Sequence, residues 1–102
     1  MEQMALTETT YYILLSLYKP LHGYGIMQRA AELSGGRVRL AAGTLYGALN
    51  ALVDKGWIAL LPGEGRKKEY KLTTKGLEIL KNELARLREL VASGDMVLKE
   101  EA

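Results

Sequence analysis

Side chains able to do covalent or metal chemistry are scarce in this sequence. Its 102 residues include one histidine, His22, and no cysteine. His22 stands beside Gly23 at a turn, with no nucleophile–base set and no metal-ligand spacing around it. A histidine in that setting reads as a helix cap or a packing residue. The expectation is therefore no catalytic residue, no metal and no cofactor, and hence not an enzyme. The lack of cysteine excludes disulfides and fits a reducing, cytoplasmic setting.

The chemistry the chain does offer is charge placed locally. From Arg37 to Lys75 there are eight basic and three acidic residues, an excess of five in a chain whose net charge is only +2. The remainder therefore carries −3. A local positive field of this kind suits a polyanion; a solvated, lysine-rich loop and strand would also produce it. Its densest part, Arg66-Lys67-Lys68, follows the glycine-containing turn PGEGR.

A second unusual stretch is GTLYGALNALVDKGWI, residues 43–58. On a helical wheel Leu45, Leu49, Leu52 and Val53 fall within about 80° of one another and make an apolar stripe. The opposite side carries Gly43, Gly47, Asn50, Ala51 and Asp54, with almost none of the Lys and Glu that a wet helix face usually shows. Small residues at Gly47 and Ala51 fit packing against a neighbouring helix. They equally fit a helix sunk deep into the DNA major groove, which is about 12 Å wide. Thr44, at the helix start, and Tyr46, on its flank, are then placed to reach phosphates or base edges.

These residues need a scaffold. TETTYYILLSLY (7–18) reads as a first helix, with Thr7 as its cap and Leu6 and Tyr11 as a hydrophobic staple. HGYGIMQRAAELS (22–34) reads as a second helix with Ile26, Met27, Ala30, Ala31 and Leu33 buried, ended by Gly35-Gly36. RVRL (37–40) alternates like a short strand. Residues 57–73 read as a β-hairpin with a basic tip, Gly56 closing the helix before it. Thr73 or Thr74 then caps a helix over 75–92, broken by Ser93-Gly94 and followed by the tail DMVLKEEA, which is expected to fray. In the last helix Leu77, Leu80, Leu84, Leu87 and Val91 repeat as a heptad seam. The fold expected is mainly α with a small β-hairpin. It comprises a winged helix-turn-helix over 1–73 and a dimerisation helix with its tail over 74–102. No apolar run reaches the length of a membrane span, and the N-terminus, with two Glu and no Lys or Arg, is no secretory signal.

At HGYGIMQ, GTLYGALNALVDKGWI and RKKEYKLTTKG the chain closely resembles the PadR family of bacterial and archaeal transcriptional regulators. The resemblance implies a winged-helix DNA-binding domain, a homodimer formed by the last helix, and repression relieved by a small-molecule effector, here unknown. By position it puts Thr44, Tyr46, Gly47 and Asn50 on the recognition helix and Arg66, Lys67 and Lys68 on the wing. Tyr24, Gln28 and Arg29 fall on the preceding helix, where some members touch phosphates. Many members carry Pro where Gly47 stands. Some short members hold flat aromatic compounds with a Trp on the last helix; here that helix has no aromatic residue, and Trp57 reads as core.

The seam leucines, at about 1.5–3 kcal/mol each if fully covered, demand a partner surface. The first helix of the same chain or a second copy would serve. The partners expected are thus double-stranded DNA and a second copy of the chain, with no membrane. The competing reading is a winged helix that docks another protein, which the basic wing argues against.

Overall fold

A computed structural model of the chain describes residues 5–100, without the side chain of Arg66. Thr7 opens α1 (Glu8–Ser16) by accepting a hydrogen bond from the Thr10 N–H at 3.1 Å. Ile13, Leu14 and Leu17 are fully buried at the centre of the core, and Leu6 and Tyr11 pack on its edge. Pro20 then holds the chain extended into β1 (Leu21–His22), from which α2 (Gly23–Leu33) starts. Gly35 and Gly36, with φ of 63° and 88°, turn the chain away from α2, as left-handed glycines do. Leu33, expected in the buried stripe, is exposed instead.

The sheet corrects the strand expectation. RVRL forms no strand: its one buried residue, Val38, is held as loop by donating its N–H to Ser34 Oγ at 2.9 Å. The third strand is β1, too short to show alternation. It pairs antiparallel with β3 (Glu69–Leu72), Leu21 opposite Tyr70, and β2 (Ile58–Leu60) lies on the other side of β3. Between β1 and β2 in the chain comes α3 (Ala42–Asp54), closed by Gly56 at φ 76°.

α4 (Thr74–Glu100) begins against Trp57, the residue that precedes β2. Thr73 makes the joint: its N–H donates to the Trp57 carbonyl at 3.1 Å and its hydroxyl to the Gly56 carbonyl at 2.6 Å, while the same oxygen accepts from the Gly76 N–H at 3.0 Å. Gly76 is the contact residue. A Cβ there would fall inside the Trp57 carbonyl, so only glycine lets helix and strand meet. From this joint Leu80 drops into the core formed by α1, α2 and α3.

Ser93-Gly94 does not break α4, and the described part of the tail is helical rather than frayed. Glu101 and Ala102 lie outside the described residues. One internal glycine costs a helix about 1 kcal/mol, and the flanking Leu, Val, Ala, Met, Lys and Glu favour helix enough to offset it. The 27-residue helix is about 40 Å long and projects beyond the core, which gives the molecule extents of 56 × 32 × 20 Å.

Gly76→Ala should lower stability by about 1–3 kcal/mol, since the added methyl meets backbone that cannot step aside. Gly94→Ala, which meets nothing within 4 Å, should raise it by roughly 1 kcal/mol. Urea unfolding of the two variants against the parent chain checks both signs.

Candidate nucleic-acid interface

α3 is held by one side only. Leu45 and Leu49 are fully buried and Leu52 nearly so, while Val53, at the edge of the stripe, is partly exposed. On the far side Gly43, Thr44, Gly47, Asn50, Ala51 and Asp54 all face solvent. A Cβ built on Gly43 or Gly47 meets nothing within 4 Å. Among the described residues, no helix therefore seats on these small residues. The helix also starts without a side-chain cap: Ala41 stands at the cap position, so the first-turn N–H groups beside Thr44 are left open.

α2 is positioned by His22, whose Nδ1 accepts the Gly25 N–H at 3.0 Å. The only histidine is thus a helix cap. The first residue of α2, Gly23, lies under the Tyr46 hydroxyl so closely that a Cβ there would overlap it. This contact locks α3 to the start of α2; Tyr46 remains 41 % exposed, and Tyr24, next to Gly23 in the chain, is exposed as well. Burial, and then the nearby Tyr46, push the Tyr70 hydroxyl above its ordinary pKa. Tyr24 and Gln28 share one face, the Gln28 amide donating to the Tyr24 hydroxyl at 3.3 Å. Arg29 does not join them. It points toward α1, where it lines a cavity with Leu15, Tyr18 and Lys19, and stands 3.9 Å from Glu32.

The hairpin tip is folded rather than an open loop. Gly65–Lys67 forms a single 3-10 turn, with Gly65 at φ 58°, and Lys68 closes back over Gly63. Lys67 and Lys68 are exposed; the Arg66 side chain lies outside the described residues. Of the other cations in the basic segment, Arg37 is paired with Glu8 at 2.9 Å and Lys55 sits 4.8 Å over the Trp57 ring.

The seam of α4 divides along its length. Leu77 is half-buried, Leu80 belongs to the chain's own core, Leu87 is half-buried, and Leu84 and Val91 are exposed. Past them Leu90, Met96, Val97 and Leu98 are each more than half exposed. Leu80 is therefore corrected from free seam to core. Two residues that organise the site escaped sequence reasoning. Gly76 looked like any early-helix glycine, and Glu83, buried on α4, looked like one more solvent-facing charge.

Three helices, a small sheet on which the third helix is seated, and a basic hairpin beyond it define a winged helix-turn-helix. The chain belongs to the PadR-like family of transcriptional regulators, whose family model matches residues 12–82. It is similar to the crystal structure of a PadR-like transcription factor from Bacteroides fragilis, with 30 % identity and a TM-score of 0.72 over 86 % of this chain and 87 % of that one. It is also similar to Bacillus subtilis PadR in complex with operator DNA, with 32 % identity and a TM-score of 0.62 over 74 % of this chain and 45 % of that one. A third relative is an uncharacterised 37.1 kDa protein of transposon Tn4556 from Streptomyces fradiae, 42 % identical over 64 residues. That match takes in 63 % of this chain, and the chain spans 18 % of that relative's length. Among the described residues no group of three or more His, Asp or Glu is placed to hold a metal ion, and no helix is long and apolar enough to cross a membrane.

Proposed function

We propose that this chain is a sequence-specific DNA-binding regulator, not an enzyme, which acts in the cytoplasm as a homodimer on a palindromic operator. It represses transcription by occupying that operator until a small-molecule effector releases it. The observation that carries the reading is the bare, exposed side of α3 directly opposite its buried leucines. A helix of this kind approaches the groove floor with its backbone, while Thr44, Tyr46 and Asn50 reach outward around Gly47. Asn is well suited to a bidentate contact with adenine, and Thr44, beside the open first-turn N–H groups, to a phosphate. Tyr24 and Gln28 extend that surface along α2 more directly than Arg29 does. Lys67 and Lys68, with Arg66, supply phosphate contacts from the wing, which position the protein without reading sequence. The operator complex of the Bacillus subtilis relative supports the reading.

The homodimer is argued from α4. Beyond Leu80 it exposes Leu84, Leu90, Val91, Val97 and Leu98, with Leu87 half-covered, and a second α4 is the surface whose heptad matches it. Two-fold symmetry then presents two α3 helices to the two halves of a palindrome, about one DNA turn apart.

The experiment is selection of bound duplexes from a random pool, followed by affinity measurements across salt, with candidate effectors then added to the bound complex. Gly47→Leu should leave folding intact, because the space around it is open, yet lower affinity for the selected site at least tenfold, about 1.4 kcal/mol. Unchanged affinity would take α3 out of the groove. Replacing Arg66, Lys67 and Lys68 with Ala should weaken binding to every duplex. The slope of log affinity against log salt should then flatten by about 0.9 for each phosphate that the wing no longer neutralises. An unaltered slope removes the wing from the interface.

Leu87→Glu with Val91→Glu should give a folded monomer by light scattering, binding the operator far more weakly than the parent. A persistent dimer would place the contact elsewhere.

A further inference from the structure

Glu83 is a carboxylate beside the seam position Leu84, where a solvent-facing charge is the ordinary outcome, yet it is buried. It is 1 % exposed and one turn beyond the core residue Leu80. A buried charge is tolerated only when it is paired and hydrogen-bonded. Glu83 Oε1 accepts from Arg86 Nε at 2.6 Å, and Oε2 accepts both from Arg86 Nη2 at 2.8 Å and from the backbone N–H of Leu6 at 3.0 Å. In return the carboxylate raises the Arg86 pKa above its ordinary value. The Leu6 contact joins residues 77 positions apart in sequence, and Leu6 immediately precedes Thr7, the cap of α1.

The location gives the pairing its meaning. Up to Leu80, α4 is gripped by the core; beyond Leu84 it projects free of it. Glu83 sits at the point of exit and ties α4 to Leu6, the residue before the cap of α1. α1 packs on α2, and α2 on α3. Arg86, on the same helix, holds the Glu83 carboxylate in place, and the carboxylate in turn accepts the Leu6 N–H, a directional bond between elements that an apolar contact would not supply.

We propose that Glu83 is a positioning residue that sets the angle between the projecting helix and the winged-helix unit, and thereby the separation of the two α3 helices in the homodimer. This rests on the dimeric DNA-binding reading above. Its consequence is that tolerance for half-site spacing in the operator is governed from a residue that touches neither DNA nor the partner's α3.

The test uses the full chain. Because it contains no cysteine, Asp54→Cys provides a unique spin-label site at the end of α3. Distances between the labels of the two protomers are measured by pulsed dipolar spectroscopy in the otherwise unaltered chain, in Glu83→Gln, and in Glu83→Leu with Arg86→Met. The unlabelled chains are put through selection on duplexes with varied half-site spacing. Both variants should stay folded and dimeric, but with a distance distribution at least twice as broad and several spacings accepted. Affinity for the best spacing should fall about tenfold or more, because the two half-sites are no longer engaged together at full strength. A folded, dimeric variant with an unchanged distribution and an unchanged spacing preference overturns the proposal. So does loss of folding in both variants, which would make Glu83 a stability residue. A chain that is monomeric before any change at Glu83 gives no distance between labels, and in that case the dimer reading itself fails and takes this inference with it.

Discussion

The structure depends on burying α3 along one narrow stripe and nowhere else. Leu45, Leu49 and Leu52 enter a core made by α1, α2, the strand residues Ile58 and Tyr70, and the start of α4. Every other element is arranged so that this stripe is covered while the reverse side stays open. α2 crosses at the Tyr46–Gly23 contact, β2 follows the helix through the left-handed Gly56, and α4 is stopped against the Trp57 carbonyl on the same side as the core. A second contact on the outer side of α3 would add stability and remove the surface.

The division of α4 follows from the same geometry. A core of this size, built from about a dozen buried apolar side chains, has room for the first turns of the helix only. The remaining turns carry Leu90, Val91, Val97 and Leu98, which no surface among the described residues covers. Their leucines and valines are too many and too regularly placed for the scattered apolar exposure of an ordinary monomer. On the proposed dimer, one helix belongs to two cores in succession: its own chain's, then one shared with a second copy. Glu83 and Arg86 mark the boundary.

Periodicity made most of this legible before any coordinates. The cap at Thr7, the α3 stripe of Leu45, Leu49 and Leu52 without Val53, the left-handed Gly56 and the hairpin all rest on local rules and are present, and of the two threonines expected to cap α4 it is Thr73 that does. What pattern missed was set by contacts distant in sequence. β1 is two residues long and exists only because β3 is there to pair with it. RVRL alternates but has no strand beside it. Leu80 and Leu84 occupy equivalent seam positions, and only the depth of the core separates the buried one from the exposed one. Ser93-Gly94 looks like a stop because glycine is a poor helix former, yet a helix can cross one such residue when the flanking turns favour it.

Three helical glycines separate what folding explains from what it does not. Gly76 has its reason inside the chain, since any larger residue would strike the Trp57 carbonyl. Gly23 likewise makes room for the Tyr46 hydroxyl. Gly47 lies in the middle of α3, costs that helix roughly 1 kcal/mol relative to Ala, and has no neighbouring atom that a Cβ would meet. No packing gain in the described chain offsets the loss. Such a departure is borne either by strong helix formers on both sides, as at Gly94 in the long α4, or by a functional surface, which is the account to be sought in the short α3. On the DNA-binding reading proposed above, that surface for Gly47 is the open side of α3, and the object that fits it is one a helix backbone must approach closely. A grooved duplex has that shape; a solvated helix face would have gained from a lysine.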